Sequence, residues 1–253
     1  MKIAVVQFQP KANTVEENLK SLRQLVIRAA RMGAKVIVCP ELSLSTYSLS
    51  SREEALRHAE DLSDFSPSAH SPSSLSNFYR IAAEFDTHII WGLVERSVTG
   101  TLFNSQVLMC PDGTFESYSK INLFSADWLW ATSGKSSPPV RTILVDDQTY
   151  KVGLLICRDV RDKSDQLDSF YEPGDADLIC LSAGWGKGAF PATAWMNFVK
   201  ENNVTLAISN RYGVEVPNDF GHGGSCIIDP QGVVTHQGLL WGQDCIVYSE
   251  IKK

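Results

Sequence analysis

Apolar and polar positions follow two rhythms along this chain, one continuous and one helical. KIAVVQF near the start is an uninterrupted β-rich run. VEENLKSLRQLVIRAARMG then places Leu19, Leu22, Val26 and Ala30 at helical spacing, with Asn13 and Thr14 positioned to cap the helix and Gly33 to end it. AKVIVCPE follows, and an apolar run this continuous predicts a strand buried on both faces. Pro40 cannot extend a ladder, so Glu41 falls just past the strand end.

From Ser43 to Ser76 the rhythm breaks into serine and acidic residues. That pattern predicts surface structure: a loop, a short helix around Glu53 to Glu60, and a helix opened by Pro72 and reaching Glu84. THIIWGLVER and TLFNSQVLMCPDGTFESYS give three strands, the last two joined by the turn PDG and therefore antiparallel, with Lys120 immediately after. Beyond the irregular stretch Ser133 to Pro139 come strands RTILV and KVGLLIC, a polar helical segment to Tyr171, and strand DLICLSAG. A helix over PATAWMNFVKENN, strand VTLAISN, the loop GHGGS, a hairpin SCIIDPQGVVTHQ and a last strand DCIVYSEI complete the pattern. Strands and helices alternate in two similar halves, but hairpins intervene, which argues against a Rossmann sheet or a TIM barrel. The expectation is an α/β protein of two sheets packed face to face with helices outside, and one domain over residues 1–253.

Composition narrows the function. With 43% hydrophobic and 21% charged residues the chain is an ordinary globular one, and a net charge of -6 opposes a nucleic-acid surface. No run is long enough to span a bilayer, and MKIAVVQFQP is too short an apolar run for a secretory leader. The six cysteines form no CxxC, which favours reduced thiols and a cytoplasmic location. The five histidines show no HxxxH spacing, and neither GxGxxG after the first strand nor GxxxxGK[ST] occurs, so no metal site or phosphate cradle is expected.

Three reactive residue types stand where apolar runs end: Glu41 after VIVCP, Lys120 after TFESYS, and Cys157 after VGLLI. Taken singly, each has a bland reading as an inert core thiol, a solvated glutamate or a loop lysine. His222 in GHGGS invites a Cys-His protease reading, but no papain-like CGSCW surrounds a cysteine. Together the blocks AVVQFQP, VIVCPELSLSTYS, PDGTFESYSKINLF, VGLLICRD, GDADLICLSAGW, ENN before VTLAISNRYG, and GGSCIIDPQG resemble the nitrilase superfamily of carbon–nitrogen hydrolases over almost the whole chain. The resemblance implies a four-layer αββα sandwich, a homodimer or higher homo-oligomer, and a Glu, Lys, Cys catalytic triad matched here by Glu41, Lys120 and Cys157.

That triad has a chemical logic. A thiol with a pKa of about 8.5 is mostly protonated at neutral pH, so Glu41 is suited to remove its proton. Lys120 and the backbone N–H of Arg158 would stabilise the oxyanion, and no cofactor is required. The resemblance also implies substrate contacts at Asp127, Trp185 and Tyr47. Asp127 stands near the family's second glutamate and is one methylene shorter; the alternative for it is a solvated loop carboxylate. Trp185 is either a pocket wall or simple packing. Arg158 and Arg161 either attract a substrate carboxylate or are held by Asp159 or Asp162 in ion pairs. The turn after Cys157 keeps Asp159 and Arg161 but lacks the F-P-E that amidase-like members carry. It also lacks the C-W-E of true nitrilases, which favours a small carboxamide, ω-amide or N-carbamoyl substrate over a nitrile. An acyltransferase, a nitrilase and a non-enzymatic relative are the competing readings.

Overall fold

The computed structural model describes residues 1–11, 15–68, 71–160, 174, 176–236 and 242–251. The first half runs β1 (Lys2–Gln7), α1 (Val15–Arg31), β2 (Val36–Val38), α2 (Arg52–Leu56), β3 (Ala59–Glu60), α3 (Ser74–Phe85), β4 (His88–Arg96), β5 (Leu102–Met109) and β6 (Phe115–Ser119). The second runs β7 (Val140–Val145), β8 (Gln148–Ile156), β9 (Leu178–Ala183), α4 (Thr193–Asn202), β10 (Thr205–Asn210), β11 (Gly213–Glu215), β12 (Asn218–Gly221), β13 (Cys226–Ile228), β14 (Val234–His236) and β15 (Cys245–Glu250).

Two mixed sheets result. One has the order β15-β1-β2-β4-β5-β6 with β3 beside β4; the other has the order β14-β13-β10-β9-β8-β7. Each has a parallel centre, β1-β2-β4 and β8-β9-β10, and antiparallel flanks, so the two halves of the sequence do repeat one design. Ile3, Val5, Val36, Val38 and Ile90 of the first sheet share one core with Leu154, Leu181 and Leu206 of the second. The opposite face of the first sheet, with Ala4, Val6, Ile37 and Trp91, is covered by Leu22 and Val26 of α1 and by Phe78 and Ile81 of α3. Trp195, Phe198 and Val199 of α4 join the core of the second sheet. The layers are helix, sheet, sheet, helix, as the sequence predicts. Among the described residues no helix is long and apolar enough to cross a membrane.

The segment from Ser43 to Ser76 departs from its expectation. Leu42, Leu44, Tyr47 and Leu49 are buried, along with the hydroxyl residues Ser43, Ser45 and Thr46, so its first part is an interior loop. Two of its serines satisfy backbone groups instead of facing water: Ser43 donates to the Pro40 carbonyl and Ser48 to the Glu215 carbonyl. α2 is shorter than expected because Ala59 and Glu60 pair with Val94 and Glu95 as a strand. α3 starts at Ser74, with Ser73 as its cap accepting from the Ser76 N–H. Asn13 and Thr14, Arg161 and the helical segment to Tyr171 lie outside the described residues.

Candidate active site

β2 delivers Glu41 through Cys39 and Pro40 to a loop that crosses β4 at Gly92. A Cβ on Gly92 would lie 2.8 Å from the Glu41 Cα and 2.5 Å from the Leu42 nitrogen, so glycine is needed for the crossing. β6 delivers Lys120, whose N–H donates to the Asn104 carbonyl at 2.8 Å. β8 delivers Cys157, which turns into a left-handed conformation with φ of 44° and opens a 3-10 turn through Val160. A non-glycine residue held there is strained, and such residues gather at functional sites. Asp159 locks the turn to the Lys120 segment: it accepts from the Tyr118 hydroxyl at 2.7 Å and from the Asn122 N–H at 2.9 Å, one on each side of the lysine.

The polar side chains converge out of solvent. Lys120 Nζ donates to Glu41 Oε1 and to Asp127 Oδ2, both at 2.7 Å, and all three side chains are buried. Asn104 bridges the same two carboxylates, its Nδ2 donating to Glu41 Oε1 at 2.8 Å and to Asp127 Oδ1 at 3.1 Å. The Gly184 N–H donates to Glu41 Oε2 at 2.8 Å and faces the Cys157 sulfur as well. Gly184 can carry no side chain there, because a Cβ would meet Tyr47 Cε2 at 2.6 Å and Glu41 Oε2 at 3.3 Å.

Electrostatics set the resting charges. Burial works against the Lys120 ammonium, but Asp127 and then Glu41 outweigh it and hold its pKa well above the ordinary value, so the cation persists. Burial raises the Cys157 thiol, and the Glu41 charge raises it further against the opposing pull of Lys120 and the Gly184 N–H. The thiol therefore rests protonated and requires a base. Burial, followed by Glu41, also raises the Tyr47 phenol, which stays neutral.

The remaining expected residues divide. Asp127 is buried on Lys120, so it is no solvated loop carboxylate. Tyr47 joins the cluster. Trp185 stands beside Gly184, its N–H donates to Asn210 Oδ1 at 2.7 Å, and its ring meets Trp195 at 5.5 Å. It also walls a cavity of about 130 Å³ with Phe190, Phe220 and His222. Arg158 does not pair with Asp159, whose oxygens serve Tyr118 and Asn122; its guanidinium lies 5.3 Å from the centre of the Phe124 ring. A cavity of about 1160 Å³ lies elsewhere, near Glu16, Arg23, Glu60 and Arg80, and contains none of the reactive groups. Sequence reasoning missed Asn104 and Gly184. The signal for Asn104 is a lone amide among the apolar residues of LFNSQVLM; Gly184 has no signal short of the fold.

Known proteins supply the frame for this geometry. A nitrilase of Pyrococcus abyssi is 28% identical over 92% of this chain and 83% of its own length. The protein N-terminal amidase of Schizosaccharomyces pombe is 27% identical, with the whole of each chain covered. The solved structure of a nitrilase-superfamily amidase from Nesterenkonia shares the fold, with a TM-score of 0.78 at 20% identity over 100% of this chain and 92% of that one. The carbon-nitrogen hydrolase family model matches residues 2–253, and the chain belongs to that family.

Proposed function

We propose that this protein is a thiol-dependent amidase that hydrolyses a small carboxamide, with Cys157 as nucleophile, Glu41 as base and Lys120 as oxyanion stabiliser. The observation carrying the reading is the buried contact of Glu41 with Lys120 at 2.7 Å beside a protonated thiol held at a strained strand end. Glu41 Oε2 takes the thiol proton as Cys157 Sγ attacks the amide carbon. The Lys120 ammonium and the Arg158 N–H meet the negative charge that develops on the carbonyl oxygen. Collapse breaks the C–N bond, and the nitrogen leaves as ammonia with the proton Glu41 had taken. Glu41 then deprotonates water, which attacks the thioester, and the proton returns to the Cys157 sulfur as the carboxylic acid departs. Every proton is accounted for by Glu41 and water, so the reaction as written needs no metal or organic cofactor.

The proposed substrate is a side-chain ω-amide or an N-carbamoyl compound. The S. pombe relative, an amidase by name, supports the amide class. Cytoplasmic location and homo-oligomeric assembly belong to the same proposal. The test is ammonia release from a panel of small amides by Cys157→Ala and Cys157→Ser, with mass spectrometry of the trapped thioester. Loss of release together with an acyl adduct on Cys157 supports the reading, and undiminished release by either variant ends it. Hydroxamate exceeding hydrolysis in hydroxylamine would instead mark an acyltransferase, and turnover of the nitrile in preference to its amide a nitrilase.

A further inference from the structure

The loop carrying Glu41 is interior, so its backbone carbonyls need donors that water cannot supply. Leu42 adds a second difficulty, since its φ of 48° is left-handed for a branched residue. A single side chain from the other sheet answers both. Arg211, fully buried just beyond β10, sends Nη1 to the carbonyls of Glu41 at 3.1 Å, Leu42 at 2.9 Å and Ser45 at 3.1 Å. Nη2 donates to Ser45 as well, at 3.1 Å, and Nε to Glu215 Oε1 at 3.0 Å.

Glu215, at the end of β11, completes the arrangement. Its Oε1 also accepts from Arg211 Nη2, while Oε2 accepts from the Tyr47 N–H and the Thr46 hydroxyl, both at 2.7 Å. The Arg211 guanidinium sits 5.9 Å from the Tyr47 ring centre and 5.7 Å from that of Phe220, which stacks edge-on with Tyr47. The Arg211 N–H donates to the Ala183 carbonyl at 3.2 Å, one residue before Gly184. Glu41 is thus gripped at both ends by the end of β9. Gly184 holds its carboxylate directly, and Ala183 holds its carbonyl through Arg211.

We infer that Arg211 and Glu215 are a positioning pair for the reaction proposed above, and the inference rests on that reading. They set the Glu41 carboxylate and the Tyr47 ring against Cys157, so their loss degrades the chemical step itself. A planar fork is required because one guanidinium must reach three carbonyls and a carboxylate at once, which a lysine ammonium cannot do. Glu215→Gln keeps the volume but offers one acceptor oxygen, leaving either Arg211 or the Tyr47 N–H without its partner.

The experiment compares Arg211→Lys and Glu215→Gln with the unaltered protein and with Cys157→Ala. Turnover is expressed per competent site, counted by thioester formation in a single turnover. A misplacement of about 1 Å is worth about a hundredfold in rate, so Arg211→Lys is expected to lose about that in kcat, with KM within about threefold. Glu215→Gln is expected to lose about tenfold on the same scale, and the acid limb of the pH–rate profile to move in both. A merely structural role would lower the number of competent sites and leave kcat per site and the profile unchanged, and that result overturns the proposal. Should Arg211→Lys not fold, Glu215→Gln decides alone. A Cys157→Ala protein that still releases ammonia overturns the functional reading and this proposal with it. An inert Cys157→Ala alongside normal Arg211→Lys turnover overturns the positioning role only.

Discussion

Asp127 and Lys120, seven positions apart in the chain, meet at 2.7 Å with both side chains out of solvent. The contact leaves one ammonium between two carboxylates. Asp127→Asn would leave Glu41 as the only anion on Lys120, weakening the main influence that keeps the cation charged. Breaking a buried pair costs up to about 3–5 kcal/mol, and if Lys120 is the oxyanion donor, its displacement costs up to about the 10²–10³ in kcat that loss of such a donor typically costs. The expected variant is less stable in urea and slower in ammonia release. Asp127→Glu, overpacked by one methylene, is expected to lose about 1–3 kcal/mol in the same titration. Wild-type turnover by Asp127→Asn would remove Asp127 from the site.

Gly184→Ala tests the close approach of two elements. The new methyl would meet the Tyr47 ring at 2.6 Å and crowd the Glu41 oxygen that the Gly184 N–H now binds. Overpacking of this kind costs about 1–3 kcal/mol. Because the displaced groups are Tyr47 and Glu41, kcat is expected to fall about a hundredfold. Urea unfolding and steady-state kinetics on the same preparation separate the two effects, and a destabilised variant with normal kcat would deny Gly184 a part in positioning Glu41 and Tyr47.

The sequence made these contacts only partly legible. Alternating strands and helices, with hairpins breaking the alternation, were enough to predict two sheets and outer helices, because burial imposes those periods directly. Glu41, Lys120 and Cys157 were visible as polar residues closing apolar runs. The loop from Leu42 to Leu49 was not, since SLSTYS reads as surface until its partners, the buried Arg211 and the partly buried Glu215, some 170 and 169 positions away from Glu41 and Thr46, are brought to it by the fold. The Arg158 side chain likewise could be assigned to Asp159 from proximity in sequence; only the packed turn shows Asp159 committed to Tyr118 and Asn122.

His88, at the start of β4, carries a pH prediction for stability. Burial lowers its pKa below the ordinary 6.5, against the pull of the Lys35 carbonyl and of Asp86 and Asp112, and with Arg141 adding to the lowering. As pH falls through 6.5 the unfolded chain takes up a proton before the folded one, so His88 costs the fold stability on acidification until its own folded pKa is passed. Buried carboxyls such as Glu60 and Asp159, raised chiefly by burial, act in the opposite sense at lower pH. Comparing urea midpoints of the protein and of His88→Gln between about pH 7 and pH 5 cancels the carboxyls, the window following from the ordinary histidine pKa. The wild type is expected to show the steeper loss, and parallel curves would contradict the assignment.

Tyr47→Phe separates stability from function most sharply. Among the described residues no group pairs with the Tyr47 hydroxyl, although the atom is buried and feels the charges of Glu41, Lys120 and Asp127. An unpaired buried hydroxyl costs about 1–3 kcal/mol, so its removal is expected to stabilise the protein by about 1 kcal/mol, or about 2–4 °C in Tm for a chain of this size. If the phenol is kept for the substrate amide, as its place beside Glu41 and Cys157 argues, the same change lowers kcat/KM about ten- to a hundredfold by removing one hydrogen bond made only in the complex. A stabler and slower enzyme is the expected result of calorimetry and ammonia release together. A Phe variant that is stabler but equally fast would make the hydroxyl a packing cost with no part in substrate binding.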